Sequence, residues 1–336
     1  MKLFKKIKNI HFVGIGGAGM IGIAKVLLQK GYKISGSDIS DSKELKKLRN
    51  DGAKVYIGHS EKNIRGSDLV VMSSAIDKKN PEIVKAKKDS ITIIPRAEML
   101  GSIMIGYESI AVAGSHGKTT TTSMIAKIFS VSNLSPTYVV GGRVLSANEN
   151  SYLGDGNYFI AEADESDGTF THLQPDVAVL TNIDDDHLVH YNNNFESLLD
   201  SFVMFLENVP FYGYIVINGD DKNINKISKR VSRKQISFGE SKNCDYQIVN
   251  IEPLKGSQKF NILNIRKNKV YKFKLNLPGK HNVFNAAASI AVSLEERVPI
   301  SLIRKGINQF SGVGRRYEKH NIKISSKNII LIDDYG

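Results

Sequence analysis

A doubly wound α/β chain in two units is the fold class that this 336-residue sequence predicts. Three observations carry it. Short apolar runs alternate with helical stretches, the pattern of parallel sheets covered by helices. Glycine-rich turns stand between an apolar run and a helix at 14–19 and at 114–117. Apolar runs at 158–161 and 177–183 each end in a cluster of acids. The expected architecture is an N-terminal Rossmann-like domain, 1–107. A central P-loop-type α/β domain with peripheral antiparallel strands follows, 108–316.

Segment 9–16 (NIHFVGIG) reads as the first strand, and 19–30 as a helix that ends near Gly31. Segment 32–37 is a second strand, closed by Asp38. Strands follow at 54–57, 68–72 and 91–94, with helices at 41–50 and 81–87 between them. The second unit begins near Ser109, where IAVAGSHGKTTTTSMIAKIFS reads as strand, tight loop and helix. NYFIAEADESD, DVAVLTNIDDDH and YGYIVING are buried-strand patterns. Residues 234–274 alternate polar and apolar positions, as peripheral antiparallel strands do. HNVFNAAASIAVSLEE is an alanine-rich helix, and NIILIDDYG a final strand. No internal repeat or low-complexity linker interrupts the chain.

Composition excludes several classes. Hydrophobic residues make up 41% of the chain, enough for real cores, and no run approaches a membrane span. The basic start MKLFKKIKNIHFVGIGG imitates a signal peptide, but its apolar stretch is short and runs into a functional turn. The single cysteine, Cys244, forms no internal disulfide, in keeping with a cytoplasmic protein. A net charge of +12 invites a nucleic-acid reading. The lysines are scattered, however, and no basic strip interleaved with aromatics occurs, so no nucleic-acid or membrane partner is expected. Oligomeric state is not legible.

The first turn holds Gly14, Gly16, Gly17 and Gly19 in the pattern G-x-G-x-x-G, after a strand and before a helix. Such a turn lets backbone approach a pyrophosphate at the free N–H groups of the helix start. Asp38 lies about 20 residues on, where an acid meets a ribose. An NAD cofactor satisfies this pattern, and a UDP-sugar satisfies it equally well.

The second turn is Gly114, Ser115, His116, Gly117, Lys118, Thr119 and Thr120. Two residues separate its glycines where a Walker A loop has four. The chemistry is the same: N–H groups face phosphates, Lys118 supplies a charge and Thr119 a hydroxyl for Mg²⁺. Glu162, with Asp164, Glu165 and Asp167 behind it, and the run Asp184, Asp185, Asp186, His187 end neighbouring strands. Parallel strands would set both clusters beside the loop, where Mg²⁺ bridging ATP phosphates needs carboxylates. Each cluster alone also reads as a solvated loop or a helix cap.

Together these segments resemble the Mur ligase family. The matching stretches are IHFVGIGGAGMIGIA, SGSDIS, PRAEML, AVAGSHGKTTTT, EADESDGTFTHLQPDVAVLTNIDDDH, PGKHNVFNAAASIAV, FSGVGRRYE and the closing DDYG. They run in family order over nearly the whole chain. The spacing in GSHGKT is itself a family feature, shared with folylpolyglutamate synthase relatives. The resemblance implies an ATP-dependent ligase in which ATP activates a carboxylate as an acyl phosphate and an amine displaces phosphate. Within the family it is nearest the member that joins L-alanine to UDP-N-acetylmuramate. A relative attaching a recycled tripeptide to the same sugar nucleotide is the nearest alternative. An NAD-dependent dehydrogenase, or a remnant that binds nucleotide without catalysis, are alternatives of other classes.

The resemblance also implies site roles. Lys118 contacts ATP phosphates, Thr119 and Glu162 hold one Mg²⁺, and His187 binds a second metal. Asn182 precedes His187 on the same strand end. Asn282 and Asn285, with His281 alongside, meet the adenine side of ATP. Arg316 neutralises phosphate charge, and Asp334 belongs to the edge of the ATP site. The catalytic set is thus Lys118, Glu162 and His187. Family members continue past DDYG into a third domain. Residues 317–336 are therefore expected to open a C-terminal domain that this chain lacks, with 329–332 left without strand partners. On that reading the chain binds UDP-N-acetylmuramate and weakly ATP, and completes no reaction by itself.

Overall fold

Five apolar runs near the N-terminus are too short for helices and are bounded by turn residues, so they form strands. The computed structural model describes residues 4–144, 149–186, 188–314, 318–324 and 327–333. The chain divides into two compact units, residues 1–107 with 151–153, and residues 108–150 with 154–336. No helix among the described residues is long and apolar enough to cross a membrane.

In the first unit the elements are β1 (Asn9–Val13), α1 (Ala18–Gln29), β2 (Lys33–Asp38), α2 (Lys43–Asn50), β3 (Lys54–Ile57), β4 (Leu69–Met72), α3 (Pro81–Lys88), β5 (Thr92–Pro95) and α4 (Arg96–Met104). All five strands are parallel, in the order β3-β2-β1-β4-β5. The chain reverses direction across the sheet at β1, so the first glycine turn opens at the switch point where ligands bind. Ser42 caps α2 and Asn80 caps α3, whose first residue is Pro81. Helix α4 is absent from the sequence reading, because it follows Pro95 directly with no capping side chain.

Beneath the turn lies a buried polar cluster. Glu82, fully buried on α3, accepts hydrogen bonds from Ser37 Oγ (2.5 Å), Asn63 Nδ2 (2.6 Å) and His59 Nδ1 (3.1 Å). His11 Nε2 stands 3.7 Å away on β1. Burial alone would raise the Glu82 carboxyl. The His11 imidazole and the hydrogen bonds from Ser37 and Asn63 outweigh burial and hold it at about 2.

The remaining elements are β6 (Glu108–Ala113), α5 (Lys118–Val131), β7 (Thr137–Val144), β8 (Glu149–Tyr152), β9 (Tyr158–Glu162), β10 (Val177–Leu180), α6 (Phe195–Glu207), β11 (Tyr214–Asn218), α7 (Lys222–Ser228), β12 (Gln235–Gly239), β13 (Tyr246–Leu254), β14 (Ser257–Asn264), β15 (Lys269–Leu275), α8 (Lys280–Glu295), α9 (Ile300–Gln309), β16 (Glu318–Ile324) and β17 (Lys327–Asp333). The large sheet runs β15-β14-β13-β12-β11-β10-β6-β9-β7-β8. From β13 through β7 the strands are parallel, and β13, β14 and β15 are antiparallel. Antiparallel pairing across 234–274 therefore holds only from β13 onward. β12 is an apolar parallel strand beside β11, because Ile236 and Phe238 are buried in the core. Ile110, Val112, Ile125, Phe129, Val179, Val216 and Ile290 belong to that core.

The final strand is not partnerless. β17 pairs antiparallel with β16, from Glu318↔Asp333 to Ile324↔Lys327. The reading of 329–332 as a lone strand is corrected by this hairpin: β16 is rich in charge and carries little strand signal. Ile329, Leu331 and Ile332 nonetheless remain exposed.

Helix α8 crosses the sheet face with both ends engaged. At its carboxyl end Glu296 accepts hydrogen bonds from Tyr158 Oη (2.8 Å) and Tyr214 Oη (2.6 Å), and Glu295 from Tyr246 Oη (2.7 Å). These tyrosines begin β9, β11 and β13, at the amino edge of the parallel strands. The amino end of α8 therefore reaches the opposite edge, where the second glycine-rich turn lies.

Candidate active site

In the first turn, Gly14 N and Ile15 N donate to the Ser37 carbonyl at 2.9 and 3.0 Å. Gly16 N donates to Asp38 Oδ2 at 2.8 Å. Asp38 thus holds the turn directly, and a β-carbon on Gly16 would lie 2.7 Å from that oxygen. Gly17 is the N-cap residue of α1, with no side chain covering its amides. Gly19 faces Arg96 of α4, whose Nη1 lies 2.6 Å from where a β-carbon would stand.

The second turn leaves β6, which is flanked by β9 and β10, at the switch point of the large sheet. Gly117 caps α5 in the left-handed region, φ 82°. Lys118 Nζ donates to Gly114 O (2.7 Å), Ser115 O (3.2 Å) and Glu165 Oε1 (2.9 Å). Thr119 Oγ1 donates to Glu162 Oε1, and Gly141 N to Glu162 Oε2. Burial pushes the Glu162 carboxyl up, against the hydrogen bonds from Thr119 and Gly141 and the charge of Lys118.

The second acidic strand end is equally close. Asn182 Oδ1 accepts from His116 N (2.8 Å), and Asn182 Nδ2 donates to His116 O (2.9 Å). Asp184 N donates to Ser115 Oγ at 2.8 Å. His116 Nε2 lies 3.2 Å from Asp184 and 3.3 Å from Asp186. His187, Arg316 and Asp334 lie outside the described residues. Among the described residues, no three His, Cys, Asp or Glu side chains group as a ready metal site.

Opposite the loop, α8 presents Asn282 and Asn285. Asn282 Nδ2 donates to Pro278 O at 2.7 Å, and Asn285 Nδ2 to Asn282 Oδ1 at 3.4 Å. A cavity of about 860 Å³ separates loop from helix. Ser115, His116, Gly117, Lys118, Thr119, Thr120 and Asn182 line one side, and His281, Asn282 and Asn285 the other. Two motifs far apart in sequence thus share one chamber. Phe238, Leu277 and Val313 give it apolar surface suited to a base. The sequence reading missed these three, because a lone apolar residue carries no sign that it faces a cavity. It also named Glu165 without marking it as the partner of Lys118.

Two α/β units, one with a G-x-G-x-x-G turn and one with a G-x-x-G-K-T loop flanked by acids, define a nucleotide-using enzyme class. Residues 9–108 match the Mur ligase family, catalytic domain, and residues 112–293 the Mur ligase middle domain. A UDP-N-acetylmuramate–L-alanine ligase of Vesicomyosocius okutanii subsp. Calyptogena okutanii (strain HA) is 46% identical over 332 residues, covering 98% of this chain and 71% of its own. The crystal structure of the UDP-N-acetylmuramate–alanine ligase of Thermotoga maritima is 30% identical, with TM-score 0.86, over 98% of this chain and 74% of its own. The UDP-N-acetylmuramate:L-alanyl-γ-D-glutamyl-meso-diaminopimelate ligase of Neisseria meningitides is 25% identical, with TM-score 0.83, over 92% of this chain and 100% of its own. The chain belongs to the Mur ligase family. It is an ATP-dependent ligase of the kind that builds peptidoglycan precursors.

Proposed function

We propose that the protein joins L-alanine to the muramyl carboxylate of UDP-N-acetylmuramate, with ATP activating that carboxylate as an acyl phosphate. The observation that supports this most is the single chamber lined by Lys118 and Thr119 on one side and Asn282 and Asn285 on the other. The 46% identical relative, a UDP-N-acetylmuramate–L-alanine ligase, supports the choice of L-alanine.

In this reading residues 1–107 bind the UDP portion. Gly14, Gly16, Gly17 and Gly19 bring backbone to the pyrophosphate, and Asp38 fixes the turn that does so. Residues 108–316 bind ATP, and 317–336 begin a further domain. The amides of Gly117 and the first turn of α5 face the phosphates, and Lys118 adds a positive charge. Asn282 and Asn285, with His281, orient the adenosine side. From the resemblance, Arg316 and Asp334 complete the ATP site and His187 serves a second cation. A free carboxylate is a poor electrophile, so these groups work chiefly by orienting it and neutralising charge at the transferred phosphoryl.

Thr119 and Glu162 fit a hard divalent cation such as Mg²⁺: both offer oxygen, they already touch, and a bound cation would offset the burial that disfavours the Glu162 charge. Bound there, the ion would offset negative charge on the ATP phosphates.

The tripeptide-adding activity is a second reading, favoured by the TM-score of 0.83 to the Neisseria structure. Supplying UDP-N-acetylmuramate, ATP and Mg²⁺ with either L-alanine or the tripeptide, and weighing the product by mass spectrometry, separates the two. Product from tripeptide alone would replace the proposal with the second reading. A chain that binds neither UDP-N-acetylmuramate nor ATP in calorimetry would sink both.

A further inference from the structure

Lys118 commits all three protons of its ammonium within the protein. They go to the carbonyls of Gly114 and Ser115 and to Glu165 Oε1. A phosphate oxygen can take one of these protons only by exchange, and Glu165 is the one charged group in the set.

Glu165 is an unusual partner. Its side chain is 1% exposed. Its second oxygen, Oε2, is buried with no hydrogen-bond partner among the described residues. Its backbone carbonyl accepts a 2.5 Å hydrogen bond from Tyr191 Oη, which pins the turn that carries it. Burial pushes the carboxyl up, while Lys118 pulls it down. A buried carboxylate with one oxygen orphaned is a poor source of stability.

We propose that Glu165 is a positioning residue of the ATP site: it parks the Lys118 ammonium against the phosphate loop and lowers the affinity for nucleotide. The inference rests on the reading of residues 114–120 as the ATP loop. When Lys118 turns to a phosphate, Glu165 keeps its charge in a buried place that has lost its Lys118 partner. That loss opposes binding in the forward direction and favours release in the reverse. Glu165 thereby keeps the loop from holding nucleotide too tightly to turn over.

Glu165→Gln tests this, because the amide still offers Lys118 an oxygen but carries no charge. Calorimetry with ATP and Mg²⁺ compares wild type, E165Q, Lys118→Ala and the double variant. E165Q is expected to bind ATP about five- to tenfold more tightly, within the usual span of coupling between two groups. Lys118→Ala binds at least about tenfold more weakly, and adding E165Q to it gives no gain, since the two act as one unit. Mere structural support would move E165Q the other way. A folded E165Q, by its melting curve, with ATP affinity equal to or below wild type overturns the proposal and leaves the ATP site standing. Wild type that binds no ATP overturns both. If E165Q does not fold, Glu165→Met, which also removes the charge, carries the same expectation and the same refutation.

Discussion

Asn285 holds its side-chain oxygen 2.3 Å from where a β-carbon on Gly117 would stand, although the two residues are far apart in sequence. The loop can approach α8 only because position 117 has no side chain. Gly117→Ala meets this contact and also the strain of a left-handed residue, φ 82°. Its stability should fall by about 1–3 kcal/mol. ATP affinity should drop at least about tenfold, since the loop and helix bind together. Urea denaturation and calorimetry check both, and wild-type ATP affinity in a folded variant would remove the loop from the site.

Gly16→Val should act on the other ligand. The valine β-carbon would lie 2.7 Å from Asp38 Oδ2 and break the bond that holds the turn. Affinity for UDP-N-acetylmuramate is expected to fall by at least about tenfold while ATP affinity stays at its wild-type value. Unchanged UDP-sugar binding would exclude this turn from the pyrophosphate site.

Magnesium dependence should vanish when its oxygen ligands do. In wild type, removing Mg²⁺ with a chelator should weaken ATP binding. In Glu162→Ala the weakening should already be present, and adding Mg²⁺ should restore little. A variant that responds to Mg²⁺ as wild type does would place the ion elsewhere.

Glu82 predicts an acid limb in stability. Its carboxyl is held at about 2 against an ordinary value of 4.5. A folded-state value below the unfolded one stabilises the fold above the unfolded value. That contribution is lost as pH falls from about 4.5 toward 2. The difference corresponds to about 3 kcal/mol at neutral pH. Glu82→Gln should therefore be less stable than wild type at pH 7 by a few kcal/mol, with the gap narrowing at about pH 3. A gap independent of pH would show that shape, not charge, is what Glu82 supplies.

Much of this fold was legible because its determinants are local. The two glycine turns announce themselves by spacing, and short apolar runs by length, so most strand ends in the first unit fall within two residues of expectation. Asn282 and Asn285 were legible only through the resemblance, since two asparagines on a helix equally suit capping. Glu165 stood hidden among Asp164 and Asp167. Which acid faces Lys118 depends on the turn that Tyr191 pins, and no local pattern encodes it. Glu82 was hidden differently: beside Lys85, Lys87 and Lys88 it reads as a solvated face. Only the pairing of β1 and β2 brings Ser37 and His11 to it. β16 escaped notice because its sequence is rich in charge, and only its pairing with β17 shows it to be a strand.

The tyrosine hydroxyls at the carboxyl end of α8 turn that helix into a lever with a distant fulcrum. Fourteen residues at 1.5 Å each place the Glu296 anchor about 21 Å along the helix from Asn282, and eleven place it about 17 Å from Asn285. Breaking the Tyr158 and Tyr214 bonds to Glu296 would free that end of the helix at the far edge of the sheet from Asn282 and Asn285.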